Sequence, residues 1–490
     1  MPLILWVVYW CYTVVHFEKY LRKIPGKIGL PLFGVALEVR SPTKLLEYVL
    51  QYHRIYKSSY KMFVGSQPYL MITEPEDMKF FLSTSPLLKK SEVYDMAKRW
   101  LGNSLLISSG DKWRKQKTMV TPAFHLNILK TFIDVFNSQA DVFVEKLLEE
   151  SHKGNVDIYP LAERLTLDII CETIMGTSVN AQNDNDCKYL KCVQTLMDIY
   201  LDRAISPILT NNLLYFFTNT YRKEMYATKV VHDYTNSVIA QRRKLLNNTN
   251  EDSKDSQNIK RKKARKALLD LLLEYSANDP SFTEKDLQGE VDTFVVGGYD
   301  STATAVTFIL YCLARHPVVQ RKVYEELTAI FADDPQRKPT SADLQAMKFL
   351  EMVVKETLRL YTPIPLIGRK LENDVDWNGV TLPKGLMILI CLQCVHKSID
   401  YWGENFETFD PERFNIENNK NRHPYAYVPF SAGIRNCIGL KYAMVELKCI
   451  IATTLRRVEV FPANPDKDVI LKSAIMLKPI NGVYIRLKSR

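Results

Sequence analysis

The chain has 490 residues, of which 46% are apolar and 24% charged, so a large folded core is expected. Its nine cysteines are scattered without regular spacing, which argues against a disulfide scaffold and favours a reducing compartment. The net charge of +10 indicates an acidic partner or an anionic membrane surface.

The first segment, residues 1–17, is almost wholly apolar and is followed by basic residues. As a helix it spans about 25 Å, slightly less than the ~30 Å hydrocarbon core of a bilayer. We predict a membrane anchor whose basic C-terminal side lies in the cytosol. A cleaved signal peptide lacks support because no basic region precedes the apolar run, whereas a helix of the globular core remains the alternative. Residues 18–34, rich in basic residues, proline and glycine, are predicted to form a hinge.

Residues 35–490 are predicted to form a single domain, in which long helical patterns dominate with a few strand-like runs. One stretch, residues 247–266, is polar with blocks of like charge, which predicts a mobile loop between two helices. Its basic cluster lacks interleaved aromatic residues, so a solvated loop is favoured over a nucleic-acid site.

Basic and aromatic side chains share a predicted helical face at Trp113 and Lys117. An indole N–H and a cation at this i, i+4 spacing suit the recognition of carboxylates. An ordinary basic helix is the alternative.

A helix of about thirty residues is predicted from Thr283 to Arg315. Two adjacent glycines in its middle, Gly297 and Gly298, each weaken a helix by roughly 1 kcal/mol relative to alanine. They also remove side chains where a flat cofactor or O₂ could approach. Asp300 and Ser301 follow at once, and an acid beside a hydroxyl can hold a water and relay protons. The alternative is a glycine-rich contact between helices with an aspartate on the surface.

A buried ionic network is predicted from Glu356, Arg359 and Arg413. Glu356 and Arg359 lie three residues apart on one helix face, and Arg413 follows in the segment Phe409–Phe414. Arginine suits such a network because its planar guanidinium donates two parallel hydrogen bonds and keeps its charge.

The segment from Phe430 to Gly439 fits the pattern F-x-x-G-x-R-x-C-x-G. It places one thiol, that of Cys437, in a glycine-flanked loop just before a helix, where a thiolate can ligate a haem iron. The alternative is that Cys437 is a small core residue. Five specified residues in ten arise by chance in roughly one in several thousand chains of this length, which favours the ligand.

Together these motifs resemble those of the cytochrome P-450 monooxygenase superfamily, over essentially the whole chain. Five finer segments are similar to the fourth animal family, the microsomal group related to fatty-acid ω-hydroxylases: Trp100–Leu106, Thr121–His125, Glu290–Phe294, Arg359–Arg369 and His423–Phe430. The resemblance implies a mainly α fold with small β-sheets, in which haem b lies between a long central helix and the cysteine loop.

The resemblance also implies roles for single residues. Cys437 would be the only covalent link to the haem, as the proximal ligand of its iron. The other residues implied to hold the haem are Phe430, Gly433, Arg435, Gly439, Trp113, Lys117, Gly297 and Gly298. The residues implied to act in proton delivery to O₂ are Asp300, Ser301 and Thr302.

Three positions depart from the family pattern. The family's glutamate that can form an ester with a haem methyl is Gly297 here, so no tether can form from this position. The usual threonine beside the acid is Ser301, which keeps a hydroxyl but loses β-branching, so we expect more release of peroxide than from a Ser301→Thr variant. The usual arginine of W-x-x-x-R is Lys117, which keeps the charge without the bidentate geometry.

The resemblance implies a small lipophilic substrate, a fatty acid or related lipid above isoprenoid hormones or xenobiotics, and no nucleic acid. It also implies the endoplasmic reticulum membrane, with the catalytic domain on the cytosolic face, an NADPH-dependent reductase as electron donor, and cytochrome b5 as a second partner. Reductase binding through charge predicts that turnover falls with ionic strength. The basic residues expected to face the reductase are Lys112, Arg114, Lys115, Lys441 and Lys448.

Two other classes of function remain as rivals. A haem-thiolate isomerase or dehydratase would not need the acid–hydroxyl pair, and a haem sensor would not need a reductase-facing charge. Leu213–Phe217 is interpreted as a membrane-dipping loop for substrate entry, with a core segment as the alternative.

Overall fold

The computed structural model describes residues 2–39, 42–83, 88–206, 209–252, 267–473 and 475–490. Helices dominate and the sheets are small, which confirms the predicted fold class. The helices are α1 (Pro2–Leu21), α2 (Pro42–Tyr56), α3 (Pro75–Ser83), α4 (Lys98–Leu101), α5 (Gly110–Val120), α6 (Leu126–Ser151), α7 (Ile158–Ile170), α8 (Lys188–Ile205), α9 (Asn212–Phe216), α10 (Asn219–Asp252), α11 (Leu268–Asn278), α12 (Glu284–Arg315), α13 (Pro317–Ile330), α14 (Ser341–Ala346), α15 (Lys348–Leu360), α16 (Leu392–His396), α17 (Ile399–Trp402), α18 (Ile416–Asn419) and α19 (Leu440–Arg457).

The strands are short and form one larger sheet, a three-stranded sheet and two hairpins. The larger sheet has the order β1-β2-β3-β9-β6-β4, the smaller one has the order β10-β13-β5, and the hairpins are β7-β8 and β11-β12. Their bounds are β1 (Gly26–Lys27), β2 (Tyr60–Val64), β3 (Gln67–Ile72), β4 (Leu88–Lys90), β5 (Val156–Asp157), β6 (Leu366–Leu371), β7 (Val375–Trp377), β8 (Val380–Leu382), β9 (Met387–Cys391), β10 (Val458–Pro462), β11 (Leu471–Ser473), β12 (Leu477–Pro479) and β13 (Tyr484–Ser489).

Helix α12 runs through the centre of the core and positions the candidate site. It begins after Thr283, whose hydroxyl accepts a hydrogen bond from the Asp286 N–H while the Asp286 carboxylate accepts one from the Thr283 N–H, which is a capping box. It ends at Arg315, just before Pro317 starts the next helix. Helices α7, α10, α15 and α19 pack against it, and nearly all its residues beyond Leu287 are buried.

The N-terminal helix continues beyond the predicted anchor. α1 reaches Leu21, so the first residues of the predicted hinge are helical. The reason is tertiary: Glu18 forms an ion pair with Lys61 at 2.5 Å, Leu21 is fully buried, and the Trp10 indole donates to the Gly65 carbonyl at 3.2 Å. Within the described residues, no single helix meets the length and apolarity needed to cross a membrane, although α12 and α13, bent by 110°, meet them as a pair.

The first part of the predicted charged loop is helical. α10 continues to Asp252, so residues 247–252 are helical rather than loop. The rest of the predicted loop, residues 253–266, lies outside the described residues.

Candidate active site

The cysteine loop is shaped by one glycine in the left-handed region. Gly433 has φ +70°, and a Cβ built there would overlap the Leu82 carbonyl, so only glycine fits. The Cys437 N–H donates to the Phe430 carbonyl at 2.9 Å and closes the loop in front of α19. The loop therefore holds Cys437 in a fixed place at the N-terminal end of an eighteen-residue helix.

The Cys437 thiol lies in an environment with opposing effects on its charge. The protein packed around it desolvates the sulfur and raises the pKa of the thiol. The Gly439 N–H donates to the sulfur and partly offsets this effect. A Cβ on Gly439 would lie 3.8 Å from the Cys437 sulfur, which is an ordinary contact, so the surrounding protein does not require a glycine at this position.

A group of cations surrounds Arg435, beside the cysteine loop. Arg435 lies 4.1 Å above the Trp113 ring and donates to the Ser108 carbonyl at 2.8 Å, while its buried Nη1 has no hydrogen-bond partner. Burial, and then the nearby Arg369, lower the pKa of Arg435 to about 10. Burial also lowers the pKa of Lys90 well below its ordinary value, and the charges of Arg369 and Arg435 lower it further. Lys117 lies 5.2 Å from the Trp113 ring and donates to the Ile434 carbonyl.

This cation group fits the two carboxylates of haem. Within the described residues, Lys90, Lys117, Arg369 and Arg435 form no ion pair with a carboxylate. Tyr94 offsets only part of the lowering of the pKa of Arg369 and of Arg435, so most of the mutual repulsion remains. Anions placed among them would remove that repulsion and supply an acceptor for Arg435 Nη1. The predicted residues Trp113, Lys117 and Arg435 thus come together, and Lys90 and Arg369 join them.

The two adjacent glycines of α12 have different surroundings. A Cβ on Gly297 would meet no atom within 4 Å, so this residue borders open space. A Cβ on Gly298 would overlap the Ile170 side chain of α7. Gly298 therefore serves a helix–helix contact, the alternative weighed for this motif, while its assignment to cofactor binding stays a prediction. Ser301 shares the Gly297 face, because its hydroxyl donates to the Gly297 carbonyl at 2.9 Å.

The acid next to Ser301 points elsewhere. Asp300 is fully buried, and its Oδ1 lies 2.9 Å from Lys478 Nζ and accepts a hydrogen bond from the Tyr159 hydroxyl at 3.3 Å. Ser301 bonds to its own helix, so the two predicted proton-delivering groups have separate partners.

Thr302, the third residue predicted to be catalytic, lies on the α19 side of the helix. It is buried and its hydroxyl hydrogen-bonds to Glu446. Burial raises the pKa of Glu446 well above its ordinary value, which this bond only partly opposes. Through this contact Thr302 belongs to the packing of α12 on α19, and its hydroxyl does not share a partner with that of Ser301.

The Glu356 network has the geometry that its sequence spacing indicates. Arg359 donates two hydrogen bonds to Glu356, both at 2.7 Å, and both side chains are fully buried. Arg413 Nε lies 3.5 Å from Glu356 as an ion pair, while its other nitrogens donate to the carbonyls of Trp402 and Asn405, both at 2.7 Å. The network thereby joins α15 to the segment that leads into the cysteine loop.

The predicted reductase-facing cations do not all lie on the surface. Lys448 is buried and bound to Glu351 at 2.6 Å and to the Leu344 carbonyl at 3.0 Å, so it cannot contact a partner and its assignment was wrong. Lys112 pairs with Asp286 at 2.6 Å, and Arg114 pairs with Asp111 at 2.9 Å, both with exposed side chains. Lys115 and Lys441 are exposed.

Sequence reasoning missed Lys90, Arg369 and Lys478. Each is carried by a short strand far along the chain from the motif that it serves. Arg369 ends the segment Arg359–Arg369, whose similarity to the fourth family is the one sequence signal for this residue. The other two positions carry no local pattern, because strand pairing and hairpin placement bring them to the site.

Comparison with known proteins agrees with this site. The family described as Cytochrome P450 matches residues 24–486. Cytochrome P450 4d2 of Drosophila melanogaster is 35% identical over 474 residues, covering 95% of this chain and 94% of that protein. Cytochrome P450 4V2 of Homo sapiens is 36% identical over 479 residues, covering 96% and 91%. Cytochrome P450 4c21 of Blattella germanica is 34% identical over 480 residues, covering 96% and 94%.

All three relatives share the designation of the fourth family, to which the sequence motifs also pointed. The matches extend over nearly the full length of each partner, so they include the cysteine loop, the central helix and the ionic network together. The chain belongs to the cytochrome P450 family and is a monooxygenase that holds haem b through a cysteine sulfur.

Proposed function

We propose that this monooxygenase inserts one oxygen atom into a fatty acid or a related lipid. The observation that carries the proposal is an apolar surface at α9, where the exposed fractions of Leu213, Leu214, Phe216 and Phe217 are 71%, 51%, 55% and 77%. Tyr215 between them is buried and anchors the segment. Such a surface suits contact with a bilayer, from which a lipid substrate would enter. Only Tyr215 fits the alternative of a core segment.

The same proposal places the protein at the endoplasmic reticulum membrane, with residues 1–17 as anchor and the catalytic body on the cytosolic face. Electrons would come from NADPH through a flavoprotein reductase, with cytochrome b5 as a second donor. Exposed Lys115 and Lys441, with Lys112 and Arg114 in exposed pairs, support a basic docking face.

Bound haem supplies the activation of O₂ and its insertion into a C–H bond. Cys437 is proposed as the iron ligand, Phe430 and Gly439 as neighbours of the sulfur, and Arg435, Trp113 and Lys117 as donors to the carboxylates. Ser301 faces the Gly297 side and is proposed to hold a water for proton transfer. Since Gly297 has no side chain, the cofactor would be held without an ester.

The test is turnover with a reductase over a panel of fatty acids, an isoprenoid alcohol and drug-like aromatic compounds. Binding is followed by absorbance difference spectra, and turnover by NADPH consumption and product mass. Oxygenated fatty acid as the main product supports the proposal. Oxygenation of only the isoprenoid or the aromatic compounds would move the substrate class, a product formed without NADPH would indicate an isomerase, and binding without turnover would indicate a sensor.

A further inference from the structure

Two cysteines meet where β9 ends and α16 begins, outside the site described above. Cys391 is the last residue of β9, and Cys394 follows three residues later in the first turn of α16. Both are free and fully buried. The Cys394 thiol donates a hydrogen bond to the Cys391 sulfur at 2.6 Å, and the Cys394 N–H donates to the same sulfur at 3.2 Å. The fold therefore holds the two sulfur atoms in contact.

The hydrogen bonds make the two thiols unequal. Burial raises the pKa of Cys394 well above its ordinary value, and the hydrogen bond and the charge of Cys391 raise it further. When the pair loses one proton, the remaining proton therefore stays on Cys394, and the thiolate is that of Cys391. A thiolate is the nucleophilic form of a cysteine. Cys391 is thus the sulfur that attacks an oxidant, and Cys394 is the second thiol beside it.

The surroundings of the pair do not suit a metal ion. Within the part of the chain that the structure describes, no three His, Cys, Asp or Glu side chains are grouped so that they could hold one. The side chains packed with the two sulfurs are apolar or aromatic, and they include Val35, Tyr60 and Met62. A structural zinc ion needs four ligands. The reaction open to two thiols in contact is oxidation to a disulfide.

We propose that Cys391 and Cys394 form a redox-active dithiol, which hydrogen peroxide converts to an internal disulfide. A monooxygenase is itself a source of this oxidant, since it releases hydrogen peroxide whenever O₂ receives two electrons without insertion of an oxygen atom. In a reducing compartment the pair rests as two thiols. The proposal does not depend on which substrate the monooxygenase oxygenates.

The oxidation has two steps, and each releases one water molecule. The Cys391 sulfur first attacks one oxygen atom of hydrogen peroxide, so that an S–O bond forms, the O–O bond breaks and a sulfenic acid results. The Cys394 sulfur then attacks the Cys391 sulfur, so that the S–S bond forms and the S–O bond breaks. The two thiols lose two electrons and two protons, and the peroxide takes them up as it becomes two water molecules.

A small oxidant can reach the pair through a local opening of α2. This helix packs against α16, and its Tyr48 and Val49 belong to the same apolar cluster as the two sulfurs. The opposite face of α2 is exposed to solvent. Local opening of such a surface helix costs less than global unfolding, and hydrogen peroxide is uncharged and little larger than water.

Oxidation at this point acts on the segment that leads into the cysteine loop. Along α16, the Gln393 amide donates to the Arg359 carbonyl at 3.0 Å, and His396 Nε2 accepts the Val428 N–H at 2.9 Å. Arg359 in turn donates to the His396 carbonyl at 2.8 Å. A disulfide would tie the start of α16 to β9 and restrain the turn from which these contacts begin. We expect this restraint to slow the loss of haem.

The first experiment adds hydrogen peroxide in steps to the haem-loaded ferric protein and maps every cysteine by peptide mass after quenching. The peptide with Cys391 and Cys394 should lose two hydrogen atoms at a several-fold lower dose than the dose that oxidises Cys312 or Cys449. These two are internal controls, because burial raises the pKa of each and no second cysteine lies among the described groups that shift it. Dithiothreitol should restore both thiols. Imidazole, which occupies the haem iron, should leave the yield unchanged, because the peroxide reacts with Cys391 directly.

Single variants test the two roles. Cys394→Ser should leave Cys391 as a sulfenic acid that dimedone traps, whereas Cys391→Ser should leave Cys394 largely unreacted, because its thiol keeps its proton. The matched control is Cys449→Ser, which removes a buried cysteine elsewhere and should form the disulfide as the wild type does.

The second experiment measures the transfer of haem to an excess of apomyoglobin. Oxidation with diamide should slow this transfer several-fold in the wild type, and the same treatment should have no effect on Cys394→Ser. Equal rates for the oxidised and reduced wild type would overturn the restraint on α16.

Two thiols that persist at 391 and 394 until Cys312 and Cys449 are oxidised would overturn the dithiol, and so would direct passage to sulfonic acids without a disulfide. Loss of the disulfide with imidazole would move the oxidation to the haem and contradict direct attack on the peroxide. Equal trapping of both single variants by dimedone would contradict the separate roles of the two sulfurs.

Discussion

Gly297 and Gly298 are neighbours with opposite reasons for lacking a side chain. Gly297 borders open space, whereas Gly298 touches Ile170. We expect Gly297→Ala to stabilise the protein by about 0.5–1 kcal/mol, because alanine favours a helix over glycine. Gly298→Ala should destabilise it by about 1–3 kcal/mol through overpacking. Denaturant unfolding of the two variants checks this, and equal effects would contradict the difference in surroundings.

The open space at Gly297 also predicts the result of restoring the family's glutamate. Gly297→Glu places a carboxyl where no protein atom obstructs its Cβ, so an ester to the haem edge should form during turnover. Extraction with acidified organic solvent should then leave part of the haem on the protein. Gly297→Gln is the matched control, since an amide cannot form the ester. Equal extraction from both variants would show that the space does not face the haem.

At the residue scale, motif chemistry could be predicted but side-chain directions could not. The loop pattern around Cys437 and the arginine fork of Arg359 follow from local spacing. The direction of Asp300 depends on Lys478, a residue 178 positions later in the chain, and no periodicity of α12 contains that information.

At the scale of elements, Glu356 and Arg359 join α15 to the segment before the cysteine loop. Asp410 donates its backbone N–H to Glu356 at 3.0 Å, and Arg359 donates to the His396 carbonyl at 2.8 Å. Arg359→Met should cost about 3–5 kcal/mol of stability, because it leaves a buried carboxylate without its fork. Haem content and urea unfolding provide the measurement.

The control for this prediction is Arg114→Met, which removes an arginine from an i, i+3 pair on the surface. Exposed pairs contribute little, so its stability should be nearly unchanged. A similar loss in both variants would mean that burial of the Glu356 network does not determine its contribution.

His396 on α16 makes the same region sensitive to acid. Its Nε2 accepts the Val428 N–H at 2.9 Å, so Nδ1 carries the proton and faces the Thr362 hydroxyl at 2.7 Å. Burial, and then the charge of Arg359, lower the pKa of His396 to about 3. A second proton on the ring, at Nε2, would place an N–H donor against the Val428 N–H donor and break this hydrogen bond.

The pKa of His396 in the folded protein lies below its unfolded value of about 6.5. The stability that neutral His396 contributes is therefore complete above pH 6.5 and is lost as pH falls toward 3. Between pH 7 and pH 5, the wild-type protein should lose about 2 kcal/mol more than His396→Gln. Urea unfolding at the two pH values measures the difference. His125→Gln, which changes an exposed histidine, should keep the wild-type dependence.

Element boundaries were predictable where local chemistry sets them. The capping box at Thr283 and the proline at 317 gave both ends of α12. The end of α1 depends on the Glu18–Lys61 pair, which joins segments 43 residues apart, so composition alone placed the hinge too early. The extension of α10 to Asp252 could not be predicted, because residues 247–252 show no apolar periodicity.

At the scale of the whole molecule, the net charge of +10 is not evenly available to partners. One basic group, with Lys90, Arg369 and Arg435, faces inward and fits the haem carboxylates. Lys448 is buried in an ion pair with Glu351. The fold class and a cysteine as the haem ligand could be predicted from the sequence, because both depend on motifs. The sequence could not separate inward cations from outward ones, because that depends on tertiary burial.

The most direct test of the account is turnover of dodecanoic acid with reductase, NADPH and isotopically labelled dioxygen. We predict a hydroxylated acid that carries one labelled oxygen atom, with the second atom recovered in water, and no such product from Cys437→Ser. A product whose new oxygen comes from solvent, or labelled product from Cys437→Ser, would contradict a monooxygenase centred on Cys437.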